Sequence, residues 1–416
     1  MIAGPSQQLA VRDVRAVLAD RVLDDATVVV EDGRIVSVGA RGAAPPGALD
    51  GRGAFCLPGV VDTHSDGLEK EVQPRPGVPF PLDFALGSFE GRARAAGVTT
   101  IFHGVAFEQN PGETRTVELA EQTCAVIERR RALADPLLDH RILHRLDARD
   151  PAGFDALRRR LATHPPVDPV PLVSFEDHTP GQGQYADPAV FSSYLEHNRG
   201  ISRVEADAAV VRLRTERDAR LGQRRQAIAW LADRACAGAI RLLAHDPATA
   251  EEIDEAAEWG VAVAEFPTSV DAAVAAREAG MATVMGAPNV LRGGSHSGNV
   301  AAEELVARGL CTGLASDYLP STLLAAAFHL ARLRTAELAG AVALVTSGPA
   351  AVAGLTDRGR LAPGQRADLL LVTVDGNWPT VRLVLGAGEP ADRRHRPTTR
   401  PTPSSDEVTA CPGHTP

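Results

Sequence analysis

Lysine is almost missing from this chain. Of 43 basic residues in 416, only Lys70 is a lysine, so any lysine-dependent chemistry has one candidate. Cysteine is sparse too. Cys56, Cys124, Cys236, Cys311 and Cys411 are scattered and odd in number, and no two form a C-x-x-C pair. That is not a disulfide framework, and a reduced cytosol is the simplest setting. No uninterrupted apolar run nears the roughly 20 residues that span a bilayer. No opening segment joins a basic start to an apolar stretch and a small-residue cleavage site. A cytoplasmic protein with no membrane partner is the expectation. The net charge of −10 argues against nucleic acid as a partner, yet leaves an anionic small substrate open, since local charge decides that.

What is present fits one large domain and a smaller one, at 44% hydrophobic and 23% charged residues. Segment 11–38 is strand-like. Its β-branched run leads into Asp32-Gly33, a strong hairpin signal. A lone hairpin is not stable in water and needs partner strands. Segment 358–385 offers them, with strand-like runs at 367–374 and 381–385. A small β-sandwich built from residues 1–58 and 358–387 is therefore expected.

Between the two ends, apolar runs alternate with helical patterns. The runs are 60–64, 98–103, 141–147, 170–178, 240–245, 261–266, 282–287 and 311–317. Segments 116–134, 248–259 and 301–308 carry apolar residues at helical spacing. Repeated βα units mean a parallel sheet, and eight of them over residues 59–357 fit an α/β (β/α)8 barrel. Residues 190–235 are charged and arginine-rich. They read as a helical excursion on a barrel loop: a solvated face, a lid or a dimer contact, which leaves a homo-oligomer open. The tail, 388–416, is polar and proline-rich and should be disordered.

The ends of the runs carry the chemistry. Residues 57–66 read LPGVVDTHSD, and alternation along a strand places His64 and Asp66 side by side. Asp147, His178, His245 and Asp317 close later runs. In a barrel these ends share one face, where active sites sit. One such histidine alone is as readily a capping or core residue. Three histidines and three aspartates at strand ends are harder to explain that way. A donor set of N and O without Cys suits one or two Zn, Mn or Fe ions in a catalytic site. Residues 292–299, RGGSHSGN, combine glycines that let backbone N–H groups approach an anion with polar donors.

The order H-x-D, carboxylate, His, His, Asp within a split β-sandwich resembles the amidohydrolase superfamily. HSDGLEKEVQPRP (64–76), SFEDHTPGQGQY (174–185), AEFPTS (264–269), MGAPNVLRGGSHSGN (285–299) and ASDYLP (315–320) narrow the resemblance. They are similar to the branch of α-D-ribose 1-methylphosphonate 5-triphosphate diphosphatases of the carbon–phosphorus lyase pathway. The similarity covers nearly the whole chain except its tail. It implies a metal-dependent hydrolase that releases diphosphate from a phosphorylated sugar and leaves the 5-phosphate. The metal ligands implied are His64, Asp66, Asp147, His178, His245 and Asp317, with Asp317 and His245 catalytic and Asp317 the proton acceptor. No lysine is available to be carbamylated between two metals, so Asp147 takes the bridging place, one methylene shorter than the Glu of the family pattern. Gly67 stands where that pattern has Asn. Substrate contacts fall to Lys70, Arg75, Gln182, Gln184, Asn289, Arg292, Gly293, Gly294, Ser295, His296 and Asn299: phosphate or phosphonate for Lys70 and Arg75, phosphate for the glycine-rich loop, ribose hydroxyls for Gln182 and Gln184. Two rivals remain: an amidohydrolase cleaving a C–N bond of a cyclic amide, and a catalytically inactive barrel acting as a binding subunit.

Overall fold

The computed structural model describes residues 8–40, 44–75, 77–110, 115–133, 136–163, 169–181, 187–295 and 298–386. The alternating N-terminal residues form β1 (Gln8–Val17), β2 (Val22–Glu31) and β3 (Arg34–Ala40) as an antiparallel meander. Asp32 and Gly33 make the turn between β2 and β3 with φ of 49° and 75°, the paired positive values of a two-residue hairpin. β4 (Leu49–Asp50) and β5 (Phe55–Pro58) lie parallel to β1.

The chain then enters the barrel. β6 (Val60–Ser65), β7 (Val98–Phe107), β8 (Asp139–Asp147), β9 (Leu172–Glu176), β10 (Arg241–His245), β11 (Val263–Glu265), β12 (Ala282–Gly286) and β13 (Gly313–Ala315) pair in parallel and in chain order. A bridge between Ser65 and Asp317 joins the last strand to the first. All eight expected runs are strands. Val61, Phe102, Leu143, Leu172, Leu243, Val263, Val284 and Ala315, one from each strand, form one buried cluster. The barrel is thus a packed core and not a pore. Their neighbours Val60, Val173, Leu242, Ala244, Ala264 and Leu314 belong instead to the larger cluster shared with the helices.

After the barrel, β14 (Leu369–Asp375) returns antiparallel to β5, and β15 (Trp378–Leu385) pairs with β14. Both chain ends therefore share one small β unit, hydrogen-bonded in the order β15-β14-β5-β1-β2-β3 with β4 on β1. Its faces divide by alternation. Cys56, Leu369 and Leu371 pack into the unit's own core. Leu57, Leu370 and Val372 pack against the barrel.

The charged segment folds as helices Pro188–Arg199, Arg203–Asp218 and Leu221–Cys236. Asp187 caps the first, and a Ser202/Glu205 capping box starts the second. Leu195, Ala206 and Val210 join the first two into a hairpin with its own small core. The third packs Ala227, Ile228 and Leu231 into the main core as a barrel helix. Among the described residues, no helix is long and apolar enough to cross a membrane.

Candidate active site

Alternation continues upward from the apolar layer and decides which polar side chains face inward. Two residues above Leu143, Leu172, Leu243 and Val263 stand Arg145, Ser174, His245 and Glu265; Asp147 and Glu176 stand four above. His64, Asp66, Arg145, Asp147, His178, His245 and Asp317 line a cavity of about 360 Å³ at this end of the barrel.

Three groups of ligand-type atoms, each with atoms within 4.8 Å of one another, are formed by the described residues; His64, His245 and Glu265 make one, and the other two face the cavity. Of those two, one is His64, Asp66 and Asp317; the other is Glu176, His178 and His245. Glu265, fully buried, ties them together. Its Oε1 accepts from His64 Nδ1 at 2.8 Å and its Oε2 from His245 Nδ1 at 2.8 Å. Ser174 Oγ donates to Oε2 at 2.7 Å. With both Nδ1 atoms engaged, the Nε2 atoms of both rings are left for the cavity. The two imidazoles lie nearly parallel, 5.6 Å apart. Phe266 packs edge-on against both, at 4.9 and 5.4 Å, and holds a φ of 55° to do so. Asp246 and Asp317 share that left-handed conformation, with φ of 53° and 57°. Such values in non-glycine residues cost energy and concentrate at functional sites.

The electrostatics follow from burial and neighbours. Burial works against the His64 imidazolium, but the Glu265 and Asp66 carboxylates prevail and raise it well above its ordinary value. His245 is raised as well: burial opposes, and Asp246 and Glu265 prevail. His178 is lowered by burial, with His245 adding to it. Burial, then the Asp66 charge, push Asp317 up to about 6. Arg145 lies between the two groups, 2.5 Å from Asp66 Oδ2 and 2.7 Å from Glu176 Oε2. Against burial, that guanidinium holds both carboxylates well below their usual range.

This donor set fits a divalent cation. Asp66 Oδ1, His178 Nε2 and Asp246 Oδ2 are buried with no hydrogen-bond partner among the described residues. All donors are nitrogen or carboxylate oxygen, the ligand chemistry of catalytic Zn, Mn or Fe.

Of the sequence-predicted ligands, the structure brings His64, Asp66, His178, His245 and Asp317 into these groups. Asp147 lines the cavity but lies in none of them. Arg217 Nη1 and Nη2 donate to its Oδ2 and Oδ1 at 2.6 and 2.8 Å, and the Arg149 N–H donates to Oδ1 at 2.9 Å. Arg292, Asn289, Ser295 and Asn299 line the cavity. Asn289 Nδ2 donates to the Val300 carbonyl, and its Oδ1 accepts from the Ala302 N–H. That fixes the base of the loop, which turns at Gly293 and Gly294 with φ of 73° and 157°. Arg292 donates to the Tyr318 hydroxyl at 3.2 Å. Lys70 and Arg75 are exposed and outside the lining. Gln182, Gln184 and His296 lie outside the described residues. Gly67 packs against Phe89, whose ring would sit 2.4 Å from an added Cβ.

Glu176, Glu265 and Arg145 were not singled out from sequence. The signal that finds them is the two-residue period counted up from Leu172, Val263 and Leu143. Arg115 also lines the cavity, held by Glu69 at 2.9 and 3.0 Å and by Glu108 at 3.2 Å.

Comparison with known proteins agrees with this geometry. The sequence profile of the amidohydrolase family matches residues 183–380. The α-D-ribose 1-methylphosphonate 5-triphosphate diphosphatase of Escherichia coli K12 is 36% identical over 369 residues, 87% of this chain and 94% of that protein. The solved structure of a 5-methylcytosine deaminase from Klebsiella pneumoniae superposes with a TM-score of 0.59 at 16% identity, covering 94% of this chain and 99% of that one. An adenosine deaminase from Xanthomonas campestris with bound zinc gives 0.53 at 16% identity, covering 92% of each chain. Those two share the fold. The E. coli relative shares far more, and the chain belongs with it in the amidohydrolase family, among the α-D-ribose 1-methylphosphonate 5-triphosphate diphosphatase-like members.

Proposed function

We propose that the chain hydrolyses α-D-ribose 1-methylphosphonate 5-triphosphate to the 5-phosphate and diphosphate, with one or two divalent ions. The enzyme is a hydrolase of a phosphoric anhydride. The observation that carries the reading is the likeness to the E. coli diphosphatase over almost its full length. The site supports it independently, since two ligand groups, joined by one buried carboxylate, face a rim of anion-binding donors.

His64, Asp66 and Asp317 would hold one ion, and Glu176, His178 and His245 the other. Bound there, such an ion makes water a nucleophile at neutral pH and offsets negative charge growing on phosphoryl oxygens. The protein's own groups supply the rest. Glu265 fixes the direction of both imidazoles. Asp317, at the end of β13, lies beside the ligand atoms of His64 and Asp66 and receives the proton of the attacking water. Arg292 presents a planar fork of donors suited to a phosphate. Ser295 and Asn299 add neutral donors on the same wall. Attack at the α-phosphorus then breaks the α–β anhydride, and diphosphate leaves against that wall.

The test is a diphosphate-release assay on the metal-loaded wild type and on Asp317→Asn and His245→Ala. The expected outcome is release by the wild type and loss of at least 10³-fold in both variants, the scale on which removing a central catalytic group acts. Near wild-type release by Asp317→Asn would refute the assignment. Cleavage of cyclic amides by a protein that leaves the triphosphate intact would place it with C–N-cleaving amidohydrolases.

A further inference from the structure

His178 lies two residues past the end of β9, so no strand ladder holds it. Its two chain neighbours are held instead, and from far away. Helix Arg203–Asp218 ends on two consecutive side chains that both reach the barrel rim. Arg217 Nε donates to Thr179 Oγ1 at 2.6 Å. Its Nη2 donates to Asp177 Oδ1 at 3.2 Å, while both Nη atoms grip Asp147. Thr179 in turn donates its hydroxyl to Asp177 Oδ1 at 2.6 Å. From the other side, buried Arg149 donates Nε to Asp177 Oδ2 at 2.7 Å and Nη1 to Asp218 Oδ1 at 3.0 Å. Asp177 and Thr179 are thus clamped on either side of His178, whose Nε2 is buried without a hydrogen-bond partner among the described residues and 3.7 Å from Glu176 Oε2.

We infer that Arg217, carried by the inserted helical hairpin, is a positioning residue for the metal-holding site. It fixes the Asp177–His178–Thr179 corner and so the direction of His178 Nε2. Asp147 serves as its counter-charge rather than as a metal ligand: both carboxylate oxygens are taken by Arg217. The charges balance, Arg149, Arg217 and Arg224 against Asp147, Asp177 and Asp218. A lysine cannot reproduce the arrangement, because one ammonium cannot face Thr179, Asp177 and both Asp147 oxygens at once. The inference rests on the reading that His178 holds an ion. It extends that reading by making the hairpin part of the site, with Arg217 38 to 40 residues along the chain from the corner it serves.

The experiment is Zn²⁺ titration against a chromophoric chelator, on the wild type, Arg217→Ala, Arg217→Lys, Thr179→Val and His178→Ala. Thr179→Val removes the acceptor for Arg217 Nε and the hydroxyl donor to Asp177 but leaves the Arg217–Asp147 pair intact, so it decides the matter if Arg217→Ala fails to fold. The inference expects His178→Ala to weaken Zn²⁺ binding. Arg217→Ala and Thr179→Val should weaken it by about 10–100-fold, the usual effect of losing a group that orients a ligand, with Arg217→Lys between. Wild-type Zn²⁺ affinity in both Arg217→Ala and Thr179→Val, with His178→Ala weakened, would overturn the inference and leave the site reading standing. Wild-type affinity in His178→Ala would overturn both.

Discussion

Replacing Glu265 by Gln changes one atom in a fully buried side chain and tests how the two groups are held together. The carboxylate accepts three hydrogen bonds, from His64 Nδ1, His245 Nδ1 and Ser174 Oγ, at 2.7–2.8 Å. An amide keeps one acceptor oxygen and turns the other position into a donor. If the amide oxygen stays with His245 and Ser174, its NH₂ faces His64 Nδ1. His64 then satisfies that donor only by moving its own proton to Nε2. The ring's lone pair turns away from the cavity, and an N–H points toward Asp66 and Asp317. One of the three histidine ligands is lost without any change of shape. Groups that orient metal ligands are worth about 10–100-fold in affinity, or roughly 1.4–2.7 kcal/mol. Glu265→Gln should therefore fold, bind Zn²⁺ more weakly by that factor and lose turnover at sub-saturating metal, with partial recovery when Zn²⁺ is raised. Isothermal titration with Zn²⁺ and diphosphate release at two metal concentrations check this. Wild-type affinity in Glu265→Gln would refute the argument that the Glu265 bridge sets the tautomers.

Three further outcomes follow from the structure. Arg145→Met leaves Asp66 and Glu176 without their shared cation, so the metal-free protein should lose on the order of 3–5 kcal/mol, the cost of breaking a buried charge pair. Added Zn²⁺ should raise the Tm of Arg145→Met by more than that of the wild type, and an equal rise would count against it. Gly67→Asn drives a side chain into the Phe89 ring and should destabilise by about 1–3 kcal/mol, read as a lower urea midpoint. Glu90 belongs to none of the metal-holding groups, and its carboxylate is brought down to about 2: burial opposes, but hydrogen bonds from His140 and Arg130 prevail. A depressed folded value means stability that is present above the ordinary glutamate value of 4.5 and lost as pH falls toward 2. Urea midpoints of the wild type should fall through that window, and those of Glu90→Gln should fall less.

Much of this was legible in the sequence, and the reasons are local. Each barrel strand is a short apolar run between turn signals, and the Asp32-Gly33 turn needs only its own two residues. His64, His178, His245 and Asp317 stand out because they sit at the ends of such runs. Glu176 and Glu265 also end strands, but an acid there reads as a solvated residue until the barrel's inner face is known. Asp147 shows the limit differently. It ends its strand as a ligand would, and what occupies it is an arginine seventy residues away, which no local pattern reveals. Lys70 follows H-x-D closely in sequence, yet lies exposed on the helix Gly67–Val72, outside the cavity lining. Rarity alone does not place the chain's single lysine in the site, and the cavity is lined by Arg115, Arg145, Arg217 and Arg292.

The most direct test of the central claim is phosphorus NMR of the Zn²⁺-loaded protein with α-D-ribose 1-methylphosphonate 5-triphosphate in ¹⁸O-labelled water. The account expects the triphosphate signals to give way to diphosphate and a 5-monophosphate, with the isotope shift on the monophosphate. Release of orthophosphate, label on the diphosphate, or an unchanged spectrum with metal bound would contradict it.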